Sequence, residues 1–272
     1  MRRARIEVAA VLLAAPLAAF SAPKKTDPGD GMTVSPVLID TSDGTGSTLG
    51  LEFAFKGTLA ERNLDSSDFD FEHAKLGGFL LKYDVSGTAT ADAERNPKDF
   101  VNALLTASYQ MTRTFGSVRA GGFAKYESDQ SFDSHQSVYG LRATYVKLGI
   151  FQEADWLALD LSSGRVNPQG DTEREQVLGT KDLRGYYRTD AEFVYRCTVG
   201  QSIIDTFEFN YRYFRESSPP APVTAAGLDR HHLTTFYLGL PKDLFVAYST
   251  GTLPFDRRND RIFEVGLTFK LQ

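Results

Sequence analysis

The most constraining feature of the sequence is a two-residue alternation of apolar and polar side chains that persists through long segments. In residues 101–112, one face carries Val, Ala, Leu, Ala, Tyr and Met, and the other is largely polar. The same alternation recurs in residues 49–56, 207–213 and 263–271. Successive side chains of a β-strand point to opposite faces, so this period predicts strands with one apolar and one polar face. Because almost no window keeps a helical stripe, the chain is predicted to be all-β.

Strand length and aromatic placement distinguish between two all-β architectures. A soluble β-sandwich also alternates, but its strands usually have about 5 or 6 residues. Many segments here continue for about 9 to 11 residues, which a tilted strand needs to cross a bilayer. This favours a transmembrane antiparallel up-and-down β-barrel over a sandwich with an aromatic core. Aromatic residues near segment ends, where they would lie at the membrane–water boundaries, are Tyr109, Tyr126, Tyr139, Tyr145, Tyr186, Tyr187, Tyr213, Tyr248 and Phe269.

The predicted connections alternate between long and short. Bacterial barrels have short periplasmic turns and longer outer loops, so the pattern predicts that both termini lie on the periplasmic side. The long connections are residues 163–184, 216–230 and 253–259, and the short ones are residues 114–116, 200–202 and 241–243.

The predicted number of strands is about twelve, within a range of 10 to 14. This count includes weaker strands near residues 32–39, 138–147 and 156–162. Two segments do not fit: residues 61–75 form a long connection where a short turn is expected, and residues 233–240 are apolar in both registers.

The N-terminus has the features of a secretory signal peptide. A positive cluster in residues 1–5 precedes an apolar run in residues 8–20, and small residues at Ala19 and Ser21 allow cleavage after Ser21 or Ala22. The run is short for a retained membrane anchor, and no later run of about 18 apolar residues predicts a helical span. The predicted organisation is a signal peptide (1–22), a short periplasmic N-terminal segment (23–31) and a barrel (32–272).

The final segment, residues 261–272, alternates up to Leu271 and resembles the C-terminal strand of Gram-negative outer-membrane β-barrel, porin-like proteins. The resemblance is one of architecture and covers nearly the whole mature chain. It implies export to the outer membrane, contact with membrane lipids, and recognition of the last strand by the outer-membrane assembly machinery. That class usually ends in an aromatic residue, whereas this chain ends in Gln272 with Phe269 set back.

Residues with catalytic chemistry are sparse. None of the four histidines has metal-ligand spacing, and adjacent His231 and His232 would point to opposite faces of a strand. The segment 133–137, which contains His135, comes nearest to the arrangement of outer-membrane phospholipases but lacks their Asn-Gly continuation. Cys197 is the single cysteine, and the net charge of -5 is too mild to indicate nucleic-acid binding. We therefore expect no catalytic residue, no metal and no cofactor.

The polar faces would line the barrel interior with charges of nearly balanced sign. Such groups either stay hydrated in a channel or pair and seal the interior. We favour a narrow porin-like passive channel for small hydrophilic solutes; the alternatives are a lipid-modifying hydrolase using His135 or His232, and a closed barrel serving as an anchor or interaction surface. Glu127 shares this face, and the predicted lining residues are Glu52, Lys56, Lys82, Asp84, Arg119, Lys125, Arg142, Asp160, Arg188, Asp190, Glu192, Arg196, Glu208, Arg212, Glu264 and Lys270.

Overall fold

The computed structural model describes residues 31–41, 47–64, 76–91, 98–113, 116–200, 203–255 and 260–271. The predicted signal peptide and most of the segment 23–31 lie outside the described residues. Almost all regular structure in these ranges is strand. The elements are β1 (Gly31–Thr41), β2 (Thr48–Leu64), β3 (Leu76–Thr90), β4 (Val101–Arg113), β5 (Gly116–Ser128), β6 (His135–Leu148), β7 (Trp156–Gly170), α1 (Thr172–Leu178), β8 (Tyr186–Thr198), β9 (Thr206–Ser217), α2 (Ala221–Ala225), β10 (Arg230–Gly239), a 3-10 turn (Pro241–Asp243), β11 (Leu244–Gly251), β12 (Asp260–Leu267) and β13 (Phe269–Leu271).

The strands close into a ring. Each strand from β1 to β12 pairs antiparallel with its sequence neighbours, and β1 also pairs with β12 and β13. The partners Val37 and Gly266, and Val34 and Phe269, belong to one register, so β13 extends β12 beyond Thr268. The predicted all-β antiparallel barrel of about twelve strands is therefore confirmed, with β13 as a short additional strand. In the described part of the chain, no helix is long and apolar enough to cross a membrane.

The two ends of the barrel differ. The described chain begins at Gly31 and ends at Leu271 on the same end, which we call the termini end. Short connections occur there, including residues 149–155 and the 3-10 turn at Pro241–Asp243. The opposite end, which we call the loop end, carries both helices. The connection between β2 and β3, residues 65–75, falls outside the described residues.

Several predicted connections are shorter than expected because strands continue past the apolar alternation. The predicted strand 156–162 continues to Gly170, so the supposed loop 163–184 contains eight further strand residues and then α1. In residues 163–166 the polar side chains Ser163 and Arg165 are exposed and Val166 is buried inside the ring, so the polarity of the two faces is reversed and the apolar-outward alternation ends before the strand does. Likewise, β2 extends to Leu64, and part of the long connection 216–230 forms α2.

The alternation divides each strand into an outward and an inward face. On β12, Phe263 and Val265 are 47% and 39% exposed, whereas Ile262 and Glu264 are 1% and 0% exposed. Apolar outward side chains are therefore uncovered, and inward ones are buried inside the ring. This is the reverse of a soluble sandwich, in which the apolar face is the buried one.

One part of the inner wall is apolar. Inward side chains of β1, β11 and β12 pack together, and Tyr237 of β10 stacks on Phe245. On β10, Leu233 is buried while Phe236 is exposed, which explains why residues 233–240 are apolar in both registers. The other buried members of the apolar cluster around Phe245 are Val37, Ile39, Ala247 and Ile262.

Candidate functional site: the barrel interior

Contacts between strands that are not neighbours establish which side chains meet inside the ring. Lys125 of β5 lies 3.0 Å from Asp190 of β8, although β6 and β7 separate these strands in the sheet. Such a contact can only cross the interior. The remaining inward positions follow from the two-residue period and the strand register.

Four charged residues form a network across the interior toward the loop end. Arg188 donates two hydrogen bonds to the Glu127 carboxylate, at 2.7 and 2.9 Å, and two to Asp190, at 2.6 and 2.9 Å. Lys125 contacts Glu127 at 2.6 Å, and Gln136 donates to the same carboxylate. Glu127 is fully buried and Arg188 is 4% exposed. We call Lys125, Glu127, Arg188 and Asp190 the charge cluster; its two positive and two negative groups satisfy one another.

Lys98 enters the interior from the connection between β3 and β4. Its ammonium group lies 2.5 Å from Glu264 of β12 and 3.2 Å from Glu52 of β2. Burial alone would lower the pKa of Lys98, but the two carboxylates outweigh it and raise that pKa. Sequence reasoning placed Glu52 and Glu264 inside and missed Lys98, because the residue belongs to no alternating segment.

A second buried ion pair fastens α1 to the barrel rim. Arg174 of α1 donates to both oxygens of Glu216 at the end of β9, at 2.8 and 2.9 Å. Its guanidinium lies 4.2 Å from the centre of the Tyr186 ring. Tyr186, which we expected at a membrane boundary, points inward, because it shares the inward register of Arg188 on β8 and its hydroxyl donates to Gln136. Burial would lower the pKa of Arg174, but Glu216 outweighs it and the pKa is raised.

On the side of the charge cluster that faces the termini end, the barrel encloses a cavity of about 230 Å³. Its charged side chains are paired: Arg142 with Asp160 at 2.7 Å, and Lys56 with Asp84 at 3.0 Å. Four positive and four negative residues line it, together with aromatic rings. The charged lining residues are Lys56, Asp84, Lys125, Arg142, Asp160, Asp190, Glu192 and Arg212, and the aromatic ones are Phe100, Phe123 and Phe214.

The remaining predicted lining residues lie outside this cavity. Arg196 and Glu208 face each other at 3.8 Å toward the termini end and are partly exposed. Arg119 donates to Gln110 at 2.9 Å, and Lys82 lies on the inward register of β3 opposite Thr106. Lys270 is exposed at the termini end. The predicted set therefore separates into the cavity with its charge cluster, the Lys98 contacts, and a dispersed group toward the termini end.

The candidate catalytic histidines, His135 and His232, lie in different surroundings. The Nδ1 atom of His135 is buried and has no hydrogen-bond partner among the described residues. His232 is exposed on the outward face of β10, and His231 points the other way, with Nδ1 3.4 Å from the Thr252 hydroxyl. Among the residues that the structure describes, no group of three His, Cys, Asp or Glu could hold a metal ion.

No protein-family model and no curated protein matches the sequence. Among solved structures, the chain is similar to OccK11 (OpdR) of Pseudomonas aeruginosa, with 8% identity, a TM-score of 0.40, and coverage of 89% of this chain and 95% of that one. It is also similar to the COG4313 outer membrane channel from Pseudomonas putida F1, with 10% identity, a TM-score of 0.36, and coverage of 92% and 100%. The transport unit of the autotransporter AIDA-I from Escherichia coli has 10% identity and a TM-score of 0.33, and the match covers 93% of both chains. At these identities and scores the similarities identify no family, and the closed barrel rests on the strand pairing described above.

Proposed function

We propose that this protein is an outer-membrane β-barrel that acts as a narrow porin-like passive channel for small hydrophilic solutes. The observation that carries the proposal is the inverted polarity of a closed ring, which has an exposed apolar outer face and a charged inner cavity. In water, so much uncovered apolar surface would promote association, whereas in a bilayer it is the face that lipid requires. Closure also leaves no unpaired strand edge for the hydrocarbon layer.

The outer face supports this membrane placement strand by strand. On β4, every outward position from Val101 to Met111 is uncharged, and the same holds on β8 from Tyr187 to Cys197. Charged outward residues occur near the strand ends, as Arg215 on β9 and Arg261 on β12 do. An uncharged belt bounded by polar residues is the arrangement that a hydrocarbon layer between two polar boundaries favours. The predicted signal peptide would export the chain, and the assembly machinery would recognise β12 and β13.

The cavity supports the choice of solute. Its eight charged side chains are balanced in sign and largely paired, so they create a field across the interior without a strong net potential. Such a lining favours small polar solutes of either sign. The charge cluster narrows the path at the loop end, and we therefore expect small conductance steps. The proposal assigns no covalent chemistry to any residue and needs no cofactor.

Planar-bilayer conductance and liposome swelling test the channel proposal. Wild-type protein, shown to be folded by heat-modifiable migration on gels, is expected to give small conductance steps. An Arg142→Gln/Arg212→Gln variant removes two cavity cations and should shift ion selectivity toward cations; Asp160→Asn/Glu192→Gln should shift it toward anions. The matched control Lys147→Gln changes a charge on the outward face of β6 and should leave selectivity unchanged.

Two results would contradict the proposal. One is the absence of both conductance and swelling from folded protein. The other is mature protein that stays soluble and monomeric without detergent, since the outer face would then not contact lipid.

A further inference from the structure

Two arginines stand side by side on the outward face at the loop end. Arg215 of β9 and Arg230 of β10 are directly opposed in the antiparallel register, and both are exposed. Like charges directly opposite each other destabilise a strand pair. Asp229 approaches Arg230 at 3.6 Å and compensates one of the two charges. No ion pair of Arg215 occurs among the described residues, so within them only one of the two positive charges has an acidic partner.

A pocket of about 430 Å³ opens at these two guanidinium groups. The row Thr189, Arg215 and Arg230 runs across three neighbouring strands and forms one wall. The connection between β9 and β10 adds the hydroxyl-bearing residues Ser218 and Thr224 to the lining. Glu216 and Asp229 also line the pocket. The carboxylate oxygens of Glu216 are held by Arg174 at 2.8 and 2.9 Å, and the Asp229 carboxylate lies 3.6 Å from Arg230. Two guanidinium groups with surrounding hydroxyls suit a phosphate group, because each guanidinium can donate two parallel hydrogen bonds.

The position of the pocket indicates where the phosphate comes from. Toward the middle of the barrel the same outward faces become aromatic and apolar, beginning with Tyr213 on β9 and continuing to Phe209 and, on β10, Phe236. The described outward positions of β7 to β10 carry three arginines and no acidic residue: Arg165, Arg215 and Arg230. A ligand with a phosphate above and acyl chains below would match both regions at once.

We propose that Arg215 and Arg230 form a binding site for the phosphate group of an outer-leaflet lipid, whose acyl chains lie along the apolar faces of β8 to β10. The inference rests on the proposed membrane placement, which puts the loop end in the outer leaflet. The lipid headgroup neutralises the arginine pair, and the pair holds one lipid at a fixed position on the barrel wall.

Native mass spectrometry of detergent-solubilised protein titrated with lipid A tests the site. Wild-type protein should retain lipid A, and Arg215→Gln/Arg230→Gln should weaken its retention about tenfold or more, because two charge-assisted contacts are lost. Dephosphorylated lipid A should bind wild type and the double variant equally. The control Arg261→Gln removes another outward arginine of the loop end, on β12, and should bind like wild type.

Several results would overturn the inference. Equal lipid A retention by wild type and the double variant would show that Arg215 and Arg230 do not bind the lipid phosphate. An equal loss of retention in Arg261→Gln would show a general effect of positive charge at the loop end. Displacement of lipid A by millimolar inorganic phosphate would indicate a free-anion site instead of a lipid site. Conductance of the same preparations separates the two proposals: a barrel that inserts and conducts but ignores the lipid phosphate contradicts only this inference.

Discussion

Glu127 of β5 and Arg188 of β8 meet inside the barrel at 2.7 and 2.9 Å, although two strands separate them in the sheet. Both side chains are almost completely buried, and each has a further partner of opposite charge. The pair therefore joins parts of the wall that lie three strands apart in the ring, and it narrows the interior at the loop end. The pair stabilises the barrel only if every buried charge has a partner, because an uncompensated buried charge costs far more free energy than a satisfied pair contributes.

Replacing Glu127 tests this dependence. Glu127→Gln keeps the shape of the side chain but leaves Lys125 and Arg188 with only Asp190 as a negative partner. We expect the free energy of unfolding to fall by about 3 kcal/mol, the lower end of the cost of breaking a buried pair. Urea unfolding in detergent micelles, followed by the loss of heat-modifiable migration, measures the change.

The control for Glu127→Gln is a substitution in an ion pair that is partly exposed, where water screens the charges. Lys56 and Asp84 lie 3.0 Å apart, with side chains 52% and 27% exposed. Asp84→Asn should lower the unfolding free energy by about 1 kcal/mol or less. Equal losses in both variants would contradict the special role of the buried charge cluster.

Two adjacent glycines of β5 give a sharp test of how closely the wall is packed. A Cβ atom on Gly121 would lie 2.1 Å from the carbonyl oxygen of Ala107, whereas one on Gly122 would meet no atom closer than 3.8 Å. Gly121→Ala must therefore move the backbone of β4 or β5 and should prevent folding or cost about 2 kcal/mol or more. Gly122→Ala should fold normally. The refolding yields of the two variants, measured in parallel, test this difference. Similar yields would contradict the close approach of β4 to β5 at Gly121.

Alternation that continues for about 9 to 11 residues, together with aromatic residues near segment ends, predicts the barrel, because the polarity and length of a barrel strand are local information. On β12 the order Phe263, Glu264, Val265 gives the outward and inward faces directly, and the structure has the same order. The prediction weakened where the inner wall is itself apolar, as at Leu233, and where a strand continues above the apolar belt, as in residues 163–170. Around Leu233 the two faces have similar polarity. In residues 163–170 the polarity is reversed, with Arg165 exposed and Val166 buried inside, so the apolar-outward period ends before the strand does.

The interior contacts made by connections were beyond sequence reasoning. Lys98 meets Glu264 across 166 residues of sequence, and Arg174 meets Glu216 across 42. Neither Lys98 nor Arg174 belongs to an alternating segment. A single charged residue in a connection is usually exposed to solvent, so the sequence predicts no interior contact for either. These pairings depend on how connections fold back over the loop end, which only the closed ring determines.

The turn between β6 and β7 should respond to acid. The carboxylate of Asp155 accepts hydrogen bonds from the amides of Ile150 and Phe151 at 2.5 and 2.8 Å, from the Gln152 amide, and from the Tyr195 hydroxyl at 3.0 Å. Burial raises the pKa of Asp155, but these hydrogen bonds outweigh it and bring the pKa below its ordinary value of 3.8. Stability from the carboxylate is thus fully present above pH 3.8 and is lost as the pH falls through the lowered pKa.

Hydrogen exchange at this turn measures the effect. After correction for intrinsic rates, protection of the Ile150 and Phe151 amides should drop below the lowered pKa of Asp155 in wild type. In Asp155→Asn, protection should already be low at neutral pH and insensitive to acid. Tyr195→Phe removes one of the donors and should weaken protection less. Acid-independent protection in wild type would show that the turn does not depend on the carboxylate.

Lys98 offers the most direct link between the interior contacts and conduction. Its ammonium group contacts Glu52 and Glu264 and so holds residues 98–100 inside the ring, where Phe100 belongs to the same buried cluster as Phe214. Lys98→Gln removes the charge that binds the connection and uncovers two carboxylates. We expect larger conductance steps and a shift of selectivity toward cations, because the path widens while its wall becomes more negative. Lys181→Gln, an exposed change in the connection after α1, should alter neither property. If Lys98→Gln folds and conducts as wild type does, the connection does not restrict the path.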